Sequence, residues 1–123
     1  MSAAPEQPEE IDVAEAAAMR GRDGVVFLDV RTPMELNQAA IDGAVVVPMQ
    51  ELPQRVSEVV GLVDNGGAEP ANALVVFCHS GIRSLQVVRW LRAQDADRFG
   101  GARSMAGGID AWSTQIDPAV PRY

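Results

Sequence analysis

Cysteine, serine, glycine and arginine stand together in Cys78-His79-Ser80-Gly81-Ile82-Arg83-Ser84, directly after the apolar run Ala73-Leu74-Val75-Val76-Phe77. A cysteine between a buried strand and the start of a helix faces several backbone N–H groups that lack intrahelical partners. The helix adds an effective positive charge of roughly half a unit at that end. Both effects favour thiolate over thiol and draw the pKa below its free value of ~8.5. Gly81 lets the backbone turn tightly with its amides inward, a small anion nest, and Arg83 supplies a permanent cation with bidentate donor geometry. Such a pocket suits a thiolate, a persulfide, or an oxyanion such as the sulfonate end of thiosulfate. The competing reading of Cys78 is an inert thiol of the core, as free cysteines often are. The glycine, the arginine and the helix start that follow it favour the reactive one.

The neighbours have weaker claims. Arg83 is expected to bind an anionic donor and stabilise charged sulfur, against the plainer role of pairing with a nearby acid. Ser80 and Ser84 have hydroxyls to offer the sulfur, or to spend on caps and turns. His79 is a polar wall or an exposed loop residue; a preformed thiolate needs no general base.

The elements that must position this loop follow from the hydrophobic pattern. Asp12 opens a short helix over Val13 to Met19, which ends near Gly21 to Gly24. Val25 to Leu28, leading into Asp29-Val30-Arg31, and Ala44 to Val47, stopped by Pro48, are continuous apolar runs. With Ala73 to Phe77 they suit strands buried on both faces. Thr32-Pro33 starts a short helix that ends before Asp42-Gly43, and a helix over about Gln50 to Val60 must hold Pro53 in its first turn. Asp64 to Pro70 is turn-forming and the clearest flexible loop. Ile82 to about Gln94 forms a helix whose broad apolar face is Ile82, Leu85, Val87, Val88, Trp90 and Leu91. A short strand at Arg103-Ser104-Met105 and a helix containing Ala111 and Trp112 complete the order. Strands alternating with helices predict an open, mainly parallel sheet flanked by helices on both faces, with ligands beyond the carboxyl ends of the strands, where Cys78 lies.

Composition sets outer limits. The 123 residues suffice for one domain, expected over residues 10–123 after a flexible Pro- and Glu-rich tail at 1–9. A net charge of -7 argues against a nucleic-acid surface. A single cysteine excludes an internal disulfide and a multi-thiolate zinc site, so no metal is expected. No run approaches the ~18 apolar residues of a membrane span. The first residues lack the basic start and apolar stretch of a signal peptide; with a free thiol, a cytoplasmic location is expected.

Several segments together resemble the rhodanese-like family. Cys78 to Ser84 is similar to its Cys-x-x-Gly-x-Arg-Ser active loop. Asp29-Val30-Arg31-Thr32-Pro33-Met34-Glu35 resembles its Asp-Val-Arg-x-Pro-x-Glu segment. Ile41-Asp42-Gly43-Ala44 resembles Ile-x-Gly-Ala, and Gly107-Gly108-Ile109-Asp110-Ala111-Trp112 resembles Gly-Gly-x-x-Ala-Trp. The departures are Ala39-Ala40, where the family usually has Gly-His, and Leu36 in place of an aromatic. Ile116 to Tyr123 resembles the tails of rhodanese domains fused to enzymes that activate sulfur-carrier proteins.

The resemblance implies a three-layer rhodanese-like fold and a sulfurtransferase that needs no cofactor. Cys78 would be the catalytic nucleophile, and His79, Ser80, Gly81, Ile82, Arg83 and Ser84 would line the donor site. Asp29 and Arg31 would buttress the loop, although a plain salt bridge at a strand end reads the same. Implied partners are a small sulfur donor, thiosulfate or a persulfide, and a thiol, cyanide or sulfur-acceptor protein, with neither nucleic acid nor membrane. The alternative is a relay or interaction module that acts only with a docked partner. Cysteine phosphatases share the fold resemblance but place five residues between Cys and Arg, a larger cradle. Cys78 and Arg83 have four between them, the loop length of sulfur-transferring members.

Overall fold

The computed structural model describes residues 7–64 and 73–123. Its strands are β1 (Glu10–Ile11), β2 (Val25–Asp29), β3 (Val45–Val46), β4 (Ala73–Phe77) and β5 (Ala102–Met105). They form one sheet in the order β1-β5-β4-β2-β3, and every pairing is parallel. The helices are α1 (Val13–Met19), α2 (Pro33–Leu36), α3 (Leu52–Asp64), α4 (Ile82–Gln94), α5 (Ala96–Phe99) and α6 (Gly108–Gln115). A 3-10 turn, Met49–Glu51, leads into α3 and leaves Pro53 in that helix's first turn, where a missing N–H does no harm.

Local chemistry sets several boundaries. Asp12 accepts from Glu15 N at 2.8 Å and starts α1. Thr32 and Glu35 form a reciprocal capping box around α2, with Pro33 in the first turn. The two central strands, β2 and β4, pair along five residues from Val25↔Ala73 to Asp29↔Phe77. Every residue of β4 is buried, as a strand covered on both faces requires.

Alternation along β4 divides the core into two layers. Leu74, Val76 and Cys78 join Leu28, Val30 and the inner faces of α3, α4 and α5. Val75 and Phe77 join Phe27, Ile109 and Trp112 in the layer beneath α1 and α6. The expected three-layer architecture is therefore present, with the carboxyl ends of β2 and β4 side by side.

Four expectations need correction. Ile82 is 71% exposed and is not part of the apolar face of α4. The buried stripe of that helix is Ser84, Val87, Val88 and Leu91, at the i, i+3, i+4, i+7 spacing. Ile82, two residues before Ser84, is turned about 200° away from the stripe. The short strand β1 and the one-turn helix α5 were not expected from the pattern. The tail expected at 1–9 is already joined to the body at its end: Pro8 O accepts from Arg92 at 3.2 Å, Glu9 O accepts from Ser104 N at 2.7 Å, and Glu9 pairs with Arg89. Residues 1–6 of that tail, and residues 65–72 of the expected loop after Asp64, lie outside the described residues. Among the described residues no helix is long and apolar enough to cross a membrane.

The turn from β5 into α6 presses directly on the segment after β4. A Cβ on Gly108 would lie 2.5 Å from Cys78 O, and the backbone there has φ +60. Gly21 has a similar φ of +84 but open space around it. Gly21→Ala is expected to cost about 1 kcal/mol, from conformation alone. Gly108→Ala is expected to cost about 3 kcal/mol or more, because the collision adds to the strain. Urea unfolding of the two variants side by side measures the difference; equal losses would contradict the close approach.

Candidate active site

Cys78 follows β4, and the alternation of that strand turns its sulfur toward the start of α4. The residue is 1% exposed. Gly81 N–H donates to Sγ at 3.1 Å and Ser84 N–H at 3.4 Å, while the Ser84 hydroxyl lies 3.4 Å away. Gly81 is the N-cap of α4, in a left-handed conformation at φ 101, and has no side chain with which to cap. The sulfur takes over that function, accepting from N–H groups that helix geometry leaves unpaired. Burial pushes the Cys78 thiol up. Hydrogen bonds from the Ser84 hydroxyl and from the backbone N–H groups of Ser84, Gly81 and Ser80 outweigh it, and the pKa falls below its ordinary value.

A further hydroxyl stands behind Ser84. Ser104 Oγ is 2.7 Å from Ser84 Oγ and 3.4 Å from Gly81 O. With Cys78 ionised, Ser84 donates to the sulfur and Ser104 donates to Ser84, so two aligned dipoles end on the anion. Ser104 was read from the sequence only as part of a strand. Its register opposite Val76 places it on the same face as Cys78. A serine in a buried strand was the available signal.

Arg83 reaches a partner that sequence separation concealed. Its Nη1 and Nη2 donate to Glu35 Oε1 and Oε2 at 2.7 and 2.8 Å. Glu35 also accepts from the Tyr123 hydroxyl at 2.8 Å and closes the cap of α2. The Arg83 pair and burial act in opposite directions on its carboxyl, the Tyr123 and Thr32 bonds join Arg83, and the result is a pKa down to about 2. The Arg83 pKa is raised, first by the Glu35 hydrogen bonds and in smaller part by the field of Cys78. Arg83 therefore stands near the sulfur with its terminal nitrogens occupied by a carboxylate.

Asp29 and Arg31 lie in the other layer. Their ion pair is 2.7 Å long with side chains 1% and 0% exposed. Arg31 also donates to Ala39 O at 2.8 Å and to the Tyr123 hydroxyl at 3.0 Å, over the Phe77 ring. The pair holds Tyr123, and Tyr123 holds Glu35; the side-chain hydrogen bonds of Asp29 and Arg31 go elsewhere than to residues 78–84. His79 is half-buried, with its ring edge-on to Tyr123 at 4.5 Å. Its Nδ1 is buried without a hydrogen-bond partner among the described residues. Ser80 and Ile82 face outward, and Ser80 serves the sulfur through its backbone.

Ser84 supplies the strongest of the bonds that lower the Cys78 pKa. Alkylation by iodoacetamide, followed against pH, should give a midpoint below that of a free thiol. Ser84→Ala should move the midpoint upward and so reduce the thiolate fraction at pH 7. A midpoint that stays in place would remove Ser84 from the account.

Comparison with known proteins places this geometry. The profile of the rhodanese-like domain matches residues 12–115. A sulfurtransferase of Allochromatium vinosum is 34% identical over 98 residues, covering 80% of this chain and 80% of its own. The rhodanese-like/PpiC domain-containing protein 12 of Arabidopsis thaliana is 31% identical over 101 residues; the match covers 82% of this chain and only 31% of that protein. The human single-domain sulfurtransferase TSTD1 superposes with a TM-score of 0.69 at 24% identity, over 89% of this chain and 98% of that one, a likeness of fold. The chain belongs to the rhodanese-like domain family, which includes sulfurtransferases among its members.

Proposed function

We propose that the chain is a sulfurtransferase that carries sulfane sulfur on Cys78. In the first displacement the Cys78 thiolate attacks the outer sulfur of thiosulfate or of a persulfide. The Sγ–S bond forms, the donor's S–S bond breaks, and sulfite or a thiolate leaves with the electron pair. In the second, a thiophilic acceptor takes the terminal sulfur and the Cys78 thiolate returns. That acceptor is cyanide in an assay, and a thiol or an acceptor protein in the cell. Neither displacement needs a metal or an organic cofactor. A reducing compartment such as the cytoplasm suits a resting thiolate.

The observation that carries this reading is the set of donors converging on one enclosed sulfur atom. They stabilise Cys78 as an anion and are placed to do the same for a persulfide, with Gly81, Ser80 and Ser84 contributing directly. Arg83 stands at the rim paired with Glu35, and His79 and Ile82 line the approach. The two curated relatives above add support, since a sulfurtransferase is among them. A second reading is favoured by one feature, the exposed Ile82 beside the sulfur loop: a relay that passes sulfur only to a docked protein. Rapid turnover of thiosulfate with small thiols alone would contradict that reading.

Intact-mass spectrometry after exposure to thiosulfate or cysteine persulfide should show an adduct of ~32 Da, reversible by dithiothreitol and located on Cys78. Cys78→Ser should gain none. Absence of the adduct from the wild-type protein with every donor would sink the proposal.

A further inference from the structure

We infer that Glu35 is a specificity-determining residue that biases the site against dianionic donors and toward persulfides. The inference rests on the sulfur-carrying function proposed for Cys78 and goes on to name the donor class. Arg83 is the cation nearest the loop in sequence, and an unpaired guanidinium there would bind a sulfonate through two parallel hydrogen bonds. Here the end-on pair of N–H donors, one on each terminal nitrogen, is taken by Glu35. The carboxylate is in turn fixed by the Tyr123 hydroxyl and by the Thr32 cap of α2. A donor anion seeking that end-on pair would have to displace a partner held from three sides, and at any other edge of the guanidinium it would meet a charge already balanced by Glu35.

Charge points the same way. The Cys78 thiolate, the Glu35 carboxylate and the Arg83 guanidinium together leave one negative charge, before the chain's net charge of -7 is added. Thiosulfate approaches this site with two negative charges. A persulfide on a thiol carrier brings its sulfane sulfur without a sulfonate that must be seated. The depressed pKa of Glu35 keeps the carboxylate charged throughout the neutral range. Glu35 contacts neither sulfur in this account; it acts through Arg83.

The step itself is unchanged by donor. With thiosulfate, the Sγ–S bond forms as the S–S bond to the sulfonate sulfur breaks, and sulfite leaves. With a persulfide the carrier thiolate leaves instead. The donor differs only in the charge it brings to the rim.

Glu35→Gln tests the idea, because Gln keeps the shape and an acceptor oxygen but removes the charge. Loading of Cys78 is measured by mass spectrometry with thiosulfate and with cysteine persulfide, for the wild type, E35Q and E35D. In E35Q the ratio of thiosulfate to persulfide kcat/KM should rise about tenfold, the size of one unit charge acting on a dianion across several ångströms of water-like medium. The change should fall on the KM for thiosulfate rather than on kcat. E35D, which keeps the charge, should retain the wild-type preference. An unchanged ratio in E35Q, or the same rise in E35D, would overturn the inference while leaving the sulfur-carrying function standing. Loading from neither donor in the wild type would overturn both. If E35Q does not fold, wild-type loading by thiosulfate decides: its rate should rise with ionic strength, as like charges require, and a falling rate would overturn the inference.

Discussion

A sulfur enclosed at the start of a helix, with its pKa drawn down, depends on backbone donors that point at it, and that requirement shapes the segment around Cys78. Gly81 adopts φ 101 so that its N–H and that of Ser84 converge on one atom. Ser84 then occupies the first position of the buried stripe of α4, where an apolar residue would otherwise stand. A buried hydroxyl needs partners, and Sγ on one side and Ser104 on the other provide them. The carbonyls of Cys78 and His79 must face away from the anion. They accept from Ile109 N at 2.9 Å and Asp110 N at 3.1 Å, so the start of α6 ties down the same segment from behind. Gly108 lets the two turns approach so closely, since a Cβ there would meet the carbonyls of Cys78 and His79.

The opposite layer sets the charge at the rim. A buried ion pair is stable only when further hydrogen bonds offset the loss of solvation. Arg31 has them, from Ala39 O and the Tyr123 hydroxyl as well as Asp29. Those contacts fix the segment after α2 and the ring of Tyr123 together. Tyr123 then orients Glu35 by its hydroxyl and His79 by its ring face. The side-chain contacts of Asp29 and Arg31 thus run to Tyr123, which touches Glu35 and His79, rather than to the loop itself.

The chain from β4 through Cys78 to the end of α4 was legible in the sequence because each of its signals is local. A continuous apolar run, a glycine at the turn and a helical period follow one another without a break, and the observed bounds match the expected ones. What escaped depends on tertiary contact. Two residues of β1 carry no periodicity and become a strand only by pairing with Ser104 and Met105. The four residues of α5 are too few to display a face. Glu35 and Arg83 are separated by 48 positions, so no spacing rule links them, and Tyr123 had only a resemblance to recommend it. Ile82 misled because its type was read as apolar without asking which residue of α4 must face the sulfur.

These two layers separate two kinds of selectivity. Cys78 is 1% exposed, so whatever it reacts with must present a small atom to it. That restriction is steric and is insensitive to the donor's charge. The restriction at the rim is electrostatic and comes from side chains on α2 and α4, together with Tyr123. Because the Ser84 hydroxyl leads the bonds that lower the Cys78 pKa, followed by the backbone N–H groups, pairing Arg83 with Glu35 leaves those donors in place. In the proposed reaction, nucleophile activation and donor choice therefore rest mainly on different groups. Changes at position 35 can retune the second while the first remains fixed by the turn at Gly81.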